Sequence, residues 1–249
     1  LIMIKKIIFI LCLSLLITEN VSGWQINKSN LKLKKHKTGF LVLAPDRGFI
    51  GNNETQQIFK IFNDEYLAEI VYIGRKYDGL NSNYSEYIQK ALSSFDEISV
   101  SNIVVIPLFL SKYNHILKEL KKNIPAYKFK AKIYWNETIL DSYLSAQILL
   151  DHAKKISKTP SVEKLVVLGR GAIDEKSEKK MKKELDKLSE YVKARHNFKS
   201  IQTGIYYSYN AKDKLRDLKD KQVDDMVIHT AAKKGDTLVV PFFIGPKYS

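Results

Sequence analysis

The chain has a single cysteine, Cys12, in 249 residues. Cys12 lies inside an apolar run near the start, so a chain processed after that run keeps no thiol at all. A disulfide framework, a thiol nucleophile, an iron–sulfur cluster and a cysteine-held zinc are all excluded from such a mature form. Glycine (11) and proline (6) are scarce, which argues against a low-complexity or disordered chain. Acidic residues are outnumbered, 27 against 41 Lys and Arg, leaving a formal charge of +14. Such an excess favours anionic partners: nucleic acid, anionic lipid or a polycarboxylate. Lysine is nonetheless scattered along the whole chain, as on a solvated basic surface. Zinc-finger spacing, RNA-stacking aromatic motifs and a base-reading helix are missing, so no nucleic-acid partner is expected. A Ser-His-Asp order, a P-loop and a dinucleotide glycine pattern are missing too.

The longest apolar run, Ile7 to Ile17, is too short to span a bilayer comfortably. It follows Lys5-Lys6 and precedes the small residues Val21-Ser22-Gly23, the order of an export signal. Residues 1–23 are therefore expected to be a signal peptide and the protein exported, periplasmic or extracellular. An uncleaved signal is the one route to a membrane. Residues 24–37 read as a polar, basic linker. Leu1 rather than Met opens the chain, which leaves either end open to truncation.

The whole chain is 45% hydrophobic and 11% aromatic, ample for a core. Apolar strand runs alternate with helical spacing. Strands are predicted at Gly39–Ala44, Ala68–Gly74, Asn102–Leu110 and Phe129–Trp135. Helices are predicted at Glu54–Tyr66, Tyr84–Phe95, Lys112–Asn123 and Thr138–Ser157. Pro160 breaks the chain and the pattern restarts, with strands at Lys164–Gly169, Ser200–Tyr207 and Thr237–Ile244. Helices at Asp174–Arg195 and Lys212–Lys233 lie between them. Such alternation predicts an α/β fold with parallel sheets flanked by helices. The sequence also repeats itself. LVLAPDRG (Leu41 to Gly48) corresponds to LVVLGRGA (Leu165 to Ala172), and VVIPLFLS (Val104 to Ser111) to LVVPFFIG (Leu238 to Gly245). Two similar halves are expected, 38–158 and a shorter 162–249, with a cleft between them.

Three stretches carry a family resemblance: ILLDHAKKISKTPSVEKLVVLGRGAID (Ile148 to Asp174), VIPLFLSKYNH (Val105 to His115) and VVPFFIGPKY (Val239 to Tyr248). With them the chain, from about residue 38 onward, resembles the sirohydrochlorin cobaltochelatase (CbiX-type) family. That resemblance implies a lyase of cobalamin biosynthesis. Its partners would be an anionic tetrapyrrole and a divalent metal as substrate, cobalt foremost, with nickel or iron as alternatives. No organic cofactor is implied. In that family each half opens with a strand and a Gly-His-Gly-Ser-like turn. Here Pro45 and Arg170 stand where those histidines fall. His115 matches the later histidine of the first half, and Ser249 stands at its counterpart in the second. His115 is thus the candidate metal ligand and proton acceptor, since a neutral imidazole suits first-row metals and pyrrole protons alike. Arg47 and Arg170, in the turns after the opening strands, are candidates to pair with ligand carboxylates. Arginine stays protonated and can neither ligate the metal nor take the proton. Reduced or lost chelatase activity is therefore expected, and a non-catalytic metal- or tetrapyrrole-binding protein of the cell envelope is the alternative. His36, His152, His196 and His229 sit on basic, charged or packing segments and read as surface or structural residues.

Overall fold

A computed structural model describes residues 38–74 and 84–242. The expected export signal, the expected linker with His36, the last residues of the expected strand Thr237–Ile244 and Ser249 lie outside the described residues.

The apolar runs become two parallel sheets. In the first, the order is β2-β1-β3-β4, with β1 Thr38–Pro45, β2 Ala68–Ile73, β3 Asn102–Pro107 and β4 Lys132–Trp135. In the second, the order is β6-β5-β7, with β5 Lys164–Ala172, β6 Ser200–Tyr207 and β7 Thr237–Pro241. Every described strand pair is parallel. The connections are helices: α1 Gly48–Glu65, α2 Tyr84–Glu97, α3 His115–Asn123, α4 Tyr143–Ile156, α5 Glu175–Arg195 and α6 Asp213–Ala232. Six consecutive residues of β1 and six of β5 are buried, as strands covered on both faces require. Among the described residues no helix is long and apolar enough to cross a membrane.

The duplication is visible in the pairing. β1 lies between β2 and β3, and β5 lies between β6 and β7. Pro107 pairs with Leu43 in one sheet, and Pro241 with Leu168 in the other. Each proline ends its strand, where a missing N–H costs no ladder bond. This register equates Leu43 with Leu168, so Pro45 with Arg170. The alignment of Leu41 with Leu165 is therefore out by one residue, because apolar strands of Leu and Val match themselves at neighbouring offsets.

Packing groups the chain differently from the sheets. One compact unit holds the described residues up to Pro107, together with Ile124–Asn136; the other holds Leu108–Asn123 and the described residues from Glu137 on. The first unit carries β1 to β4 with α1 and α2. Its edge-to-face rings Phe40 and Phe62 are 5.4 Å apart. The second unit carries β5 to β7 with α3, α4, α5 and α6. Its core joins Leu165, Val167 and Ile205 of the sheet to Leu149 of α4 and to Met181, Leu185 and Val192 of α5.

Glu163 fastens the turn that leads into β5. It is 3% exposed. Its carboxylate accepts bonds from Ser157 Oγ at 2.5 Å, Lys158 N at 2.8 Å and Thr159 N at 2.9 Å. Burial pushes its pKa up, but the Ser157 hydroxyl, the two backbone N–H groups and nearby His196 outweigh that and hold it low. A depressed carboxylate contributes stability above its unfolded pKa and loses it as pH falls through the folded one. Glu163→Gln should therefore unfold more easily than wild type at pH 7, with the gap closing as pH drops below about 4. Thermal unfolding of both proteins across that range checks this. A gap that stays constant would mean that the charge plays no part.

Candidate functional site

Parallel α/β sheets gather ligands at the carboxyl ends of their strands. In the second unit three segments meet there. The chain leaves β5 through Gly171, whose φ of +138° favours glycine. A side chain at Gly171 would lie 3.2 Å from Met181 Cε and 3.6 Å from the Asn114 amide, so the start of α3 sits close by. The segment after β6 is tied in by Ser208 N–H donating to Ala172 O at 2.7 Å. Asp174 caps α5 by accepting from Ser177 N at 2.6 Å, and that bond, more than any other influence, holds its carboxyl below the usual range.

His115 is the first residue of α3. Asn114 caps that helix through bonds from Ile116 N (3.0 Å) and Leu117 N (3.3 Å), which fixes the ring's base. Asn210, from the segment after β6, places Nδ2 3.3 Å from His115 Nε2. An amide nitrogen can only donate, so Nε2 accepts and the neutral ring carries its proton on Nδ1. Nδ1 itself is buried without a hydrogen-bond partner. Burial is the main cause that lowers the pKa of His115, against Glu119 and Asp174, which raise it. The imidazole is thus held neutral, the form a metal needs. One of its nitrogens is shielded and the other is engaged by Asn210.

Arg170 lies near the carboxyl end of β5. Its guanidinium donates to Tyr207 O at 3.2 Å, and its Cζ sits 5.1 Å from the Tyr206 ring and 5.0 Å from the Tyr209 ring. Two aromatic faces beside one cation fix it in place. Tyr206 donates to Asp224 at 2.6 Å, and its pKa is pushed up to about 12, by burial first and by that carboxylate second. Tyr206 is therefore a neutral wall, not a proton acceptor. His115 and Arg170 belong to the same compact unit.

Arg47 belongs to the first unit, at the start of α1. Its guanidinium pairs with Glu54 at 3.3 Å, and its backbone N–H donates to Asn52 Oδ1 at 2.9 Å. Asp46 accepts from Gly48 N (2.9 Å) and Asn52 Nδ2 (2.8 Å). Gly51 makes the arrangement possible, since a Cβ there would stand 2.4 Å from Arg47 Cβ. Arg47 thus lies along its own helix, with its side chain only 9% exposed.

The other histidines have local roles. His196 ends α5 and meets Ser157 Oγ at 3.1 Å, and His229 Nδ1 donates to Asp225 O at 2.7 Å. His152 is half-buried on α4, with its pKa lowered chiefly by burial. Among the described residues no group of three or more His, Cys, Asp or Glu is placed to hold a metal ion.

The sequence reading missed a cavity of about 440 Å³ in the second unit, between the segment after β3, the start of α4 and one face of α5. Its buried acid, Glu184, sits in a lysine-rich helix where charge alone gives no sign of burial. The serine of VVIPLFLS is a signal in hindsight: Ser111 is fully buried and donates its hydroxyl to Glu184.

No family model and no curated protein matches the chain. Among solved structures it is similar to DR2241 from Deinococcus radiodurans, described as a multi-domain protein with structural similarity to chelatases and two additional novel domains. The identity is 10% and the TM-score 0.50, over 84% of this chain and 51% of that one. The chain thus spans about half the length of that protein. The likeness is one of fold: an α/β chain with two helix-flanked parallel sheets, chelatase-like in architecture.

Proposed function

We propose that this is an exported chelatase-fold protein that binds an anionic tetrapyrrole such as sirohydrochlorin. It takes up Co²⁺, or Ni²⁺ or Fe²⁺, only weakly as substrate, and inserts it slowly or not at all. Export rests on the N-terminal pattern of the sequence, and the ligand class on the family resemblance together with the chelatase-like fold. His115 carries the reading of activity: its Nδ1 is buried and its Nε2 accepts from Asn210. A metal at Nε2 must displace the Asn210 amide. A metal at Nδ1 must open the burial, shift the proton to Nε2 and turn the amide so that its oxygen accepts. Either route weakens capture. Arg170, clamped by tyrosines near the end of β5, offers a fixed positive charge to a ligand carboxylate and repels an incoming cation. The second reading, a binding protein with no catalysis, is favoured by the want of a multi-residue metal cluster among the described residues.

Sirohydrochlorin absorption bands should shift on adding the protein. Cobalt insertion should run within about twofold of the spontaneous rate. Calorimetry with Co²⁺ should give weak binding, weaker again in His115→Ala. An unshifted spectrum would remove the tetrapyrrole. Robust turnover that disappears in His115→Ala would show that one histidine suffices. Equal Co²⁺ affinity in the two proteins would take His115 out of the account.

A further inference from the structure

The cavity of the second unit shares no lining residue with the His115–Arg170 region. Its charged wall comes from one face of α5, where Lys180, Lys183, Glu184 and Lys187 follow helical spacing. Lys112, just after β3, closes the other side: its Nζ stands 2.7 Å from Asp141 Oδ1 and 3.5 Å from Glu184 Oε1. Lys180 Nζ sits 5.0 Å above the Tyr113 ring. Leu140, Ala146 and Leu188, each under a tenth exposed, supply apolar lining. Tyr143 and Tyr191 meet edge to face at 5.4 Å, their hydroxyls 2.9 Å apart.

Glu184 anchors this wall. It is 7% exposed, and its Oε2 takes the hydroxyl of buried Ser111. Its Oε1 is buried, with the Lys112 ammonium 3.5 Å away. Burial, foremost, raises its pKa. The Ser111 hydroxyl and the Lys112 ammonium hold Glu184 within the wall, so the lysines set the charge the cavity presents to a ligand. The charge count selects the ligand. Four lysines against Asp141 and Glu184 leave an excess of two positive charges with both acids ionised. Among the described residues no arginine lines the cavity, so the planar fork that suits carboxylates is missing there, whereas lysines serve phosphate as point charges. A phosphomonoester brings a charge of about −1.5 to −2 at neutral pH, close to that excess.

We infer that this cavity is a binding site for an organic phosphate. The phosphate is held by Lys112, Lys180, Lys183 and Lys187, and an aromatic or aliphatic body rests on the tyrosines and the leucine-lined floor. This site is additional to the tetrapyrrole reading and does not depend on it.

Calorimetry on the full chain at one fixed salt concentration tests it, with phenyl phosphate, inorganic phosphate and phenylacetate as probes. Phenyl phosphate should bind about tenfold more tightly than either of the others. The double variant Lys183→Ala/Lys187→Ala should weaken it by about tenfold, because both side chains are exposed and removable without touching the core. Lys154→Ala/Lys155→Ala, an equal charge change on exposed positions of α4, should leave it unchanged. Equal losses in the two double variants would reduce the effect to a diffuse basic surface and overturn the site. Phenyl phosphate binding no better than inorganic phosphate would remove the organic body. A preference for phenylacetate would overturn the choice of phosphate.

Discussion

Leu185→Ala should destabilise the second unit by about 3 to 4 kcal/mol, the middle of the range for fully buried leucines. Leu185 is 0% exposed on the inner face of α5, within the core that joins that helix to β5 and β6. Gly169 shows how closely the helix approaches the sheet: a Cβ there would stand 3.4 Å from Leu185 Cδ2, 3.4 Å from Leu110 Cδ2 and 2.8 Å from Ile205 Cδ1. The neighbours are held by the strand on one side and by α4 on the other, so they close only part of a cavity left by the missing carbons. Urea unfolding followed by circular dichroism should show the midpoint moving down with little change in slope. A loss below about 1.5 kcal/mol would mean that the site collapses freely and that α5 is not clamped as described.

The same helix explains what could be read in the sequence and what could not. Strands β1, β3 and β5 were legible because they are buried on both faces and read as unbroken apolar runs. Their order and their repeat followed from the alternation with helices. Boundaries depended on contacts distant in sequence. α1 begins at Gly48 rather than Glu54 because Asp46 Oδ1 accepts from Gly48 N and Asn52 Oδ1 from Arg47 N, polar contacts that have no apolar period. β3 stops at Pro107 rather than Leu110, since the chain there leaves the first unit for the second. The expected helix at Thr138–Ser157 begins only at Tyr143, after a tight 3-10 turn at Ile139–Asp141.

The candidate site was legible in part for the same reasons. His115 and Arg170 could be found from strand ends, which are local. The tyrosines around Arg170 and the Asn210 contact to His115 come from β6 and the segment after it, and no spacing rule announces them. Arg47 illustrates the opposite case. Its partner Glu54 lies seven residues on, and Gly51 makes room for it, so the ion pair is a product of the helix itself. The lysine face of α5 gave no warning because its exposed residues match those of a solvated helix. Only the position of Glu184 against Ser111 separates the two.

Gly235→Ala should destabilise the protein by about 3 kcal/mol, whereas Gly48→Ala should cost only about 1 kcal/mol. Both glycines have positive φ, +102° and +72°. The backbone penalty for a side chain is therefore present at each. Space separates them. Nothing lies within 4 Å of a Cβ at Gly48, while one at Gly235 would meet Val162 O at 2.4 Å. That oxygen is main chain and cannot swing aside as a methyl group does. Gly235 makes the turn from α6 into β7, and the next residue, Asp236, accepts from Lys164 N at 2.8 Å. Lys164 Nζ in turn reaches Thr230 O at 2.6 Å and the Lys233 carbonyl near the end of α6. Moving Val162 therefore strains the Glu163–Lys164 entry to β5 and the β5–β7 pairing together. Urea unfolding of the two variants against wild type makes the comparison. Equal losses would mean that only backbone conformation matters, and that Val162 yields without cost.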